Sequence, residues 1–210
     1  NLHLVAMEPN LNQVDSVRRR LDQAGLYGTR VAIIPGTLAE TNYPPYISSL
    51  VVATEPQAIG LSANEETLQR ICERLRPYGG RAYLGFDATA FPWDTLPVRR
   101  EETSNSAVVL TREGGLPGAG QWTHQHGTSA NTACSDDDRV RLPLGLLWFG
   151  GPTNENVLPR HGHGPIPQAS GGRLIVPGVD TLSARCAYTG RELWVRRFPG
   201  IGHPFTNLEL

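Results

Sequence analysis

Glu8 follows the apolar run Leu2–Met7 and precedes a polar stretch with helical spacing. In a parallel α/β sheet, an acidic side chain at the end of the second strand can accept both ribose hydroxyls of a nucleoside. Histidine is the second chemical resource. His124-x-His126 and His161-x-His163, if extended, each put two imidazoles on one face, and His203 adds a fifth. That spacing suits a transition metal. No Cys or carboxylate stands at motif spacing beside them, however, and Gly127, Gly162 and Gly164 point to turns, so no metal ligand is assigned. Asp136-Asp137-Asp138 lacks the Gly and terminal Glu of a calcium loop and reads as a solvated turn.

Composition excludes several chemistries. All 19 basic residues are Arg, which removes Schiff-base and P-loop lysines. Cys72, Cys134 and Cys186 are too few and too scattered for a disulfide scaffold or a Cys-based zinc site. A net charge of -1 over 210 residues, with 39% hydrophobic and 19% charged, describes a folded chain with no electrostatic call for nucleic acid. No apolar run approaches the roughly 18 residues of a membrane span. The N-terminus has no initiator Met and no signal-peptide layout, which reads as a cut fragment.

Two grammars divide the chain near Gly114. Residues 1–113 hold 7 of the 23 Gly, and 114–210 hold the other 16 with five of the six His. The first part alternates short apolar runs with 3.6-period segments, the pattern of βαβ units and a parallel sheet with helices on both faces. Strands are expected at Leu2–Met7, Val31–Pro35, Ser49–Thr54 and Arg81–Phe86, and a late antiparallel edge strand at Ser106–Thr111. One helix starts at an Asn10 cap, with Leu11, Val14, Val17, Leu21 and Ala24 on a stripe, and ends at Gly25 or Gly28; a second spans Glu65–Leu75. Pro92, Pro97 and the charges Arg99–Glu102 mark a loop. The second part is expected to be all-β, with strands at Leu144–Phe149, Arg173–Val176, Thr181–Cys186 and Glu192–Phe198.

Glu8-Pro-Asn, the following helix, Gly28-Thr-Arg-Val-Ala-Ile-Ile-Pro-Gly36 and Leu75-Arg-Pro-Tyr-Gly-Gly80-Arg-Ala-Tyr-Leu resemble the class I S-adenosylmethionine-dependent methyltransferases over about 1–115. The resemblance implies a Rossmann-like sheet that begins here at the family's second strand, without the glycine-rich loop of the first. It implies S-adenosylmethionine as cofactor and carries over Glu8, Gly36 and Thr54 as cofactor-binding residues. Thr37 stands where the family often has the Asp that receives the adenine amino group. Thr54-Glu55-Pro56 lacks an aromatic amine clamp, Tyr43-Pro-Pro-Tyr46 reads as a turn, and no catalytic base is assigned.

Gln121-Trp-Thr-His-Gln-His-Gly-Thr-Ser-Ala-Asn-Thr132, Leu144-Gly-Leu-Leu-Trp-Phe-Gly150 and Ala184-Arg-Cys-Ala-Tyr-Thr-Gly-Arg-Glu-Leu-Trp194 resemble the opening and the repeat of pyrroloquinoline quinone-type β-propellers. That resemblance implies a partial propeller over about 116–210, with the Thr189-Gly190 turn between outer strands and with Trp148 and Trp194 mostly buried. Cys186 replaces the repeat's usual Asp. Because noncatalytic scaffolds such as the lipoprotein of the outer-membrane barrel-assembly machinery share the repeat, this stretch by itself does not call for pyrroloquinoline quinone. The bacterial cell envelope or periplasm is suggested by this resemblance alone. The expected protein is therefore a methyltransferase-like α/β part, of uncertain enzymatic activity, joined to propeller blades. Its alternatives are a noncatalytic interaction module with an unknown protein or small-molecule partner, or a quinoprotein oxidoreductase.

Overall fold

The structure is a computed structural model that describes residues 2–55, 64–85, 95–103, 107–153, 156–158 and 164–206. The chain divides into two compact units, one of residues 1–75 and 80–112, the other of residues 76–79 and 113–210.

In the first unit the elements are β1 (Leu4–Glu8), α1 (Leu11–Gln23), β2 (Val31–Pro35), β3 (Leu50–Ala53), α2 (Glu65–Arg74), β4 (Gly80–Leu84), β5 (Val98–Glu102) and β6 (Val108–Arg112). Both helices begin where an Asn caps them. The Asn10 side chain accepts from the amides of Asn12 and Gln13, and that of Asn64 accepts from Thr67, so first-turn donors that lack helical partners are satisfied. β1 and β2 pair in parallel as a two-stranded sheet. β3 and β4 are also parallel, and antiparallel β6 and β5 extend them into a four-stranded sheet of order β3-β4-β6-β5.

The expected parallel sheet with helices on both faces is corrected by this arrangement. The strands split into two sheets, and among the described residues each sheet has one helix, enough to cover one face. α2 buries Leu68, Ile71 and Cys72, joined by Leu75 just past its end, against Ala53, Ala82, Leu84, Val108 and Leu110, which forms the main core. Because strand side chains alternate, Leu50 and Val52 of β3 point to the opposite face, where they stay 60% and 58% exposed. On the smaller sheet α1 buries only Val14, and Leu11 and Val17 of the expected stripe remain in solvent because two strands present too narrow a surface. The charged segment expected as a loop is strand β5. Its partner β6 is apolar and well buried, while Arg99, Arg100 and Glu101 can extend into water from the sheet's edge.

In the second unit β7 (Gln168–Ser170), β8 (Arg173–Gly178), β9 (Thr181–Cys186) and β10 (Glu192–Arg197) form one antiparallel sheet of order β10-β9-β8-β7, followed by a short 3-10 turn at His203–Phe205. Here too the expectation is corrected, since a partial propeller of successive blades is not what forms. Residues 144–149 make no strand, and Leu144, Leu146 and Phe149 are exposed. An extended run with apolar groups needs a neighbouring strand, and among the described residues this one has none. Trp148 alone is tied down, its indole Nε1 donating to the Ala187 carbonyl at 2.8 Å while its ring lies over Gly190. Trp148 and Trp194 are half-buried instead of mostly buried. The β9–β10 turn closes at Gly190, whose φ of 66° favours glycine.

Candidate functional site

The carboxyl ends of β1 and β2 lie side by side because the two strands are parallel and in register, Glu8 opposite Pro35. Gly36, next in the chain, donates its amide to the Glu8 carbonyl at 3.0 Å. Its φ of 106° turns the chain away from the strand. Glu8 is half-buried, and its Oε1 accepts from the Asn10 amide at 2.8 Å. The carboxylate therefore sits at the start of α1, where the helix end carries partial positive charge. Arg18 and Arg30 make no ion pair with it. Arg18 donates from Nε and Nη2 to the Ile33 carbonyl at 3.1 and 2.7 Å, and Arg30 donates from Nε to the Leu2 carbonyl at 2.7 Å.

Glu40 supplies a second carboxylate at this edge, one the sequence reading did not single out. Its Oε2 accepts from the Thr37 amide at 2.9 Å and the Thr37 hydroxyl at 3.0 Å. A methyl on Gly36 would lie 3.3 Å from the same oxygen, a tight contact, and the φ of 106° already disfavours a side chain there. The available signal was the three-residue spacing of Thr37 and Glu40, the spacing of a capping box. Thr41 completes the turn by donating its hydroxyl to the Thr37 carbonyl at 2.9 Å. The Glu8 backbone thus joins Gly36, whose next residue Thr37 holds Glu40, and each of the two carboxylates can accept hydrogen bonds from hydroxyls or amines. Thr54 lies elsewhere. It follows β3 of the four-stranded sheet, exposed, and its carbonyl faces Gly85.

A shallow cleft of about 270 Å³ runs along α2 in the same unit, lined by Glu65, Gln69, Cys72, Glu73, Thr95, Leu96, Pro97 and Arg112. Arg112 is buried and donates from Nη1 to the carbonyls of Cys72 and Leu75 at 2.7 and 3.0 Å, which satisfies the end of α2. Its guanidinium also lies 5.2 Å from the Tyr46 ring centroid, so the Tyr43–Tyr46 turn packs on structural machinery. Burial pushes the Cys72 thiol up to about 11, more than the nearby Arg112 charge lowers it, and Glu73 adds to the rise. That sulfur stays protonated at neutral pH and is not a nucleophile.

Of the histidines, His124 and His126 are exposed, and His124 Nδ1 lies 2.8 Å from the Thr123 hydroxyl. His161 and His163 lie outside the described residues. Among the described residues no three His, Cys, Asp or Glu side chains gather in a way that could hold a metal ion. Asp137 works as a turn residue. Its Oδ1 accepts from the amides of Arg139 and Val140, and its Oδ2 from that of Gly120.

No family model matches the chain, and no curated protein matches it. Among solved structures, the [4+2]-cyclase SpnF matches with 18% identity and a TM-score of 0.35, covering 45% of this chain and 36% of its own. A likeness at that level carries no inference to chemistry, and the chain spans about a third of that protein's length. No helix among the described residues is long and apolar enough to cross a membrane.

Proposed function

We propose that the carboxyl edge of β1 and β2 is a half-site for a nucleoside-containing ligand of the S-adenosylmethionine type, in a methyltransferase-like protein. The observation that carries this reading is the placement of Glu8 at the end of a parallel strand, directly beside the Gly36 turn. A carboxylate there accepts a pair of ribose hydroxyls. Glu40, close to Gly36, offers a second acceptor for a ligand amine or hydroxyl. Thr54 enters only if a ligand reaches across to the other sheet. Enzymatic methyl transfer by the whole protein belongs to the same reading, with no catalytic base assigned.

Calorimetric titration of the 210-residue chain with S-adenosylmethionine and with adenosine tests it. Weak, saturable binding of both is expected, lowered about tenfold by Glu8→Ala, which is about 1.4 kcal/mol and within the range of one charge-assisted hydrogen bond. Binding unaffected by Glu8→Ala, or none to either compound, would remove the ribose role.

A second reading, a noncatalytic interaction module, is favoured by the uncovered β3 face and by the exposed apolar side chains at 142–149. Surfaces of this kind mark protein contacts in folded chains.

A further inference from the structure

The last described residues of the chain return to the turn between β8 and β9 and are fastened there by the backbone and the carboxylate of Asp180. Asp180 occupies that turn with φ 56°, a left-handed conformation that Asp and Asn tolerate better than other side chains. Its backbone holds both ends of the returning segment, the Phe198 amide donating to the Asp180 carbonyl at 2.8 Å and the Asp180 amide to the Ile201 carbonyl at 2.9 Å. Its side chain does more. Oδ1 accepts from the Gly200 amide at 2.7 Å and lies 2.8 Å from His203 Nε2, which must carry a proton because a carboxylate only accepts.

Beneath this fastening Gly202 is buried, and a methyl added there would come within 2.8 Å of the Gly178 carbonyl and 2.6 Å of Leu158 Cδ2. Phe205 lies against Gly164, where an added methyl would meet Phe205 Cγ at 3.1 Å and Leu158 Cδ1 at 3.3 Å. Residues 198–206 therefore lie over Leu158, Gly164 and the Gly178 backbone.

We propose that residues 198–206 are an acid-released strap, held on the β8–β9 turn by the ionised Asp180 side chain and freed when that carboxyl takes up a proton. The charged and titratable groups that face the carboxylate are His203 on the strap and Arg197 at the end of β10, and both favour its charged form. The Gly200 amide first, and His203 next, hold the Asp180 carboxyl below the usual carboxylate range. A depressed value in the docked state fixes the sign. The carboxylate's contribution to docking is complete above the undocked value and is lost as pH falls through the docked one. The strap stays closed in mild acid and opens below the ordinary Asp range, uncovering Leu158 and Phe205.

Amide NMR and hydrogen exchange on the 210-residue chain decide this. The Gly200 amide resonance should titrate with one midpoint below the ordinary Asp range, and its exchange, corrected for intrinsic rate, should rise about tenfold or more on the acid side. The Phe205–Gly164 contact should vanish at the same midpoint, while the Ala184 amide in β9 keeps its protection. Asp180→Asn, which tolerates the turn, should abolish the titration and raise Gly200 exchange at neutral pH, and His203→Gln should move the midpoint upward. A Gly200 amide that ignores pH, a Phe205–Gly164 contact that survives protonation, or Ala184 losing protection together with Gly200 would each overturn the strap, the last because the event would be general unfolding.

Discussion

The cysteines of this chain differ by their surroundings more than by their chemistry. Cys72 and Cys186 are buried and Cys134 is exposed. Alkylation of the native chain with iodoacetamide, read by mass spectrometry, should therefore modify Cys134 first, with Cys72 and Cys186 reacting only after denaturant is added; prompt labelling of Cys72 would show that the α2 core opens readily. Asp137 gives a prediction in pH. Its carboxyl is held low chiefly by the backbone amides of Val140 and Gly120, with Arg139 contributing, so the stability it lends is present above the usual carboxylate range and is lost as pH falls through its lowered value. Asp137→Asn should flatten that part of the acid-stability profile, measured as the denaturant midpoint against pH. That a turn forms at 136–138 was legible in the sequence, but which of its three like carboxylates fixes it was not. Spacing does not show which of three carboxylates turns inward to the amides. The place of Glu8 at a strand end was legible because it is a position along the chain, and that of Glu40 was not, because its proximity to Gly36 depends on how a three-residue turn closes.

At the level of elements, α2 should be the most sensitive. Leu68 is fully buried in the core, so Leu68→Ala is expected to cost about 2–5 kcal/mol, whereas Leu11→Ala on exposed α1 should stay within about 0.5 kcal/mol, both read from urea denaturation. Because Trp194 is half-buried, Trp194→Ala should cost less than the roughly 3–5 kcal/mol of a fully buried indole. Gly190→Ala meets two penalties, a left-handed backbone and a collision with the Trp148 ring, and should detach that indole, seen as a red shift in its fluorescence. Both helices and most strands were readable from period and capping, since those signals are local. How the strands join was not readable. A period-2 pattern fixes which face a residue takes but names no neighbouring strand, so two parallel pairs in separate sheets look in sequence like one continuous sheet. β5 was missed for a related reason: an edge strand with charged side chains has the composition of a loop.

On the scale of the whole molecule, the apolar groups left in water set an expectation for behaviour in solution. Leu50 and Val52 on one unit, and Leu142, Leu144, Leu146 and Phe149 on the other, are all more than half exposed. Light scattering should show self-association that rises with salt and falls in a Leu146→Glu, Phe149→Glu variant; a monodisperse wild-type chain at high concentration would argue against an interaction role. The sequence located the change of grammar near Gly114, but a shift in composition cannot reveal a short segment that belongs with distant residues. Residues 76–79 lie between α2 and β4 along the chain yet group with 113–210, where the Tyr78 amide donates to the Gly114 carbonyl and its ring packs on Gly115 and Gly172. The two units are therefore interleaved along the backbone, and no single cut releases either of them whole. A protease nick after Glu113 leaves the Tyr78 segment on the wrong fragment, so the pieces should co-elute under native conditions and part only in denaturant, and gene fragments ending at residue 112 should yield a first unit that carries an orphaned four-residue loop.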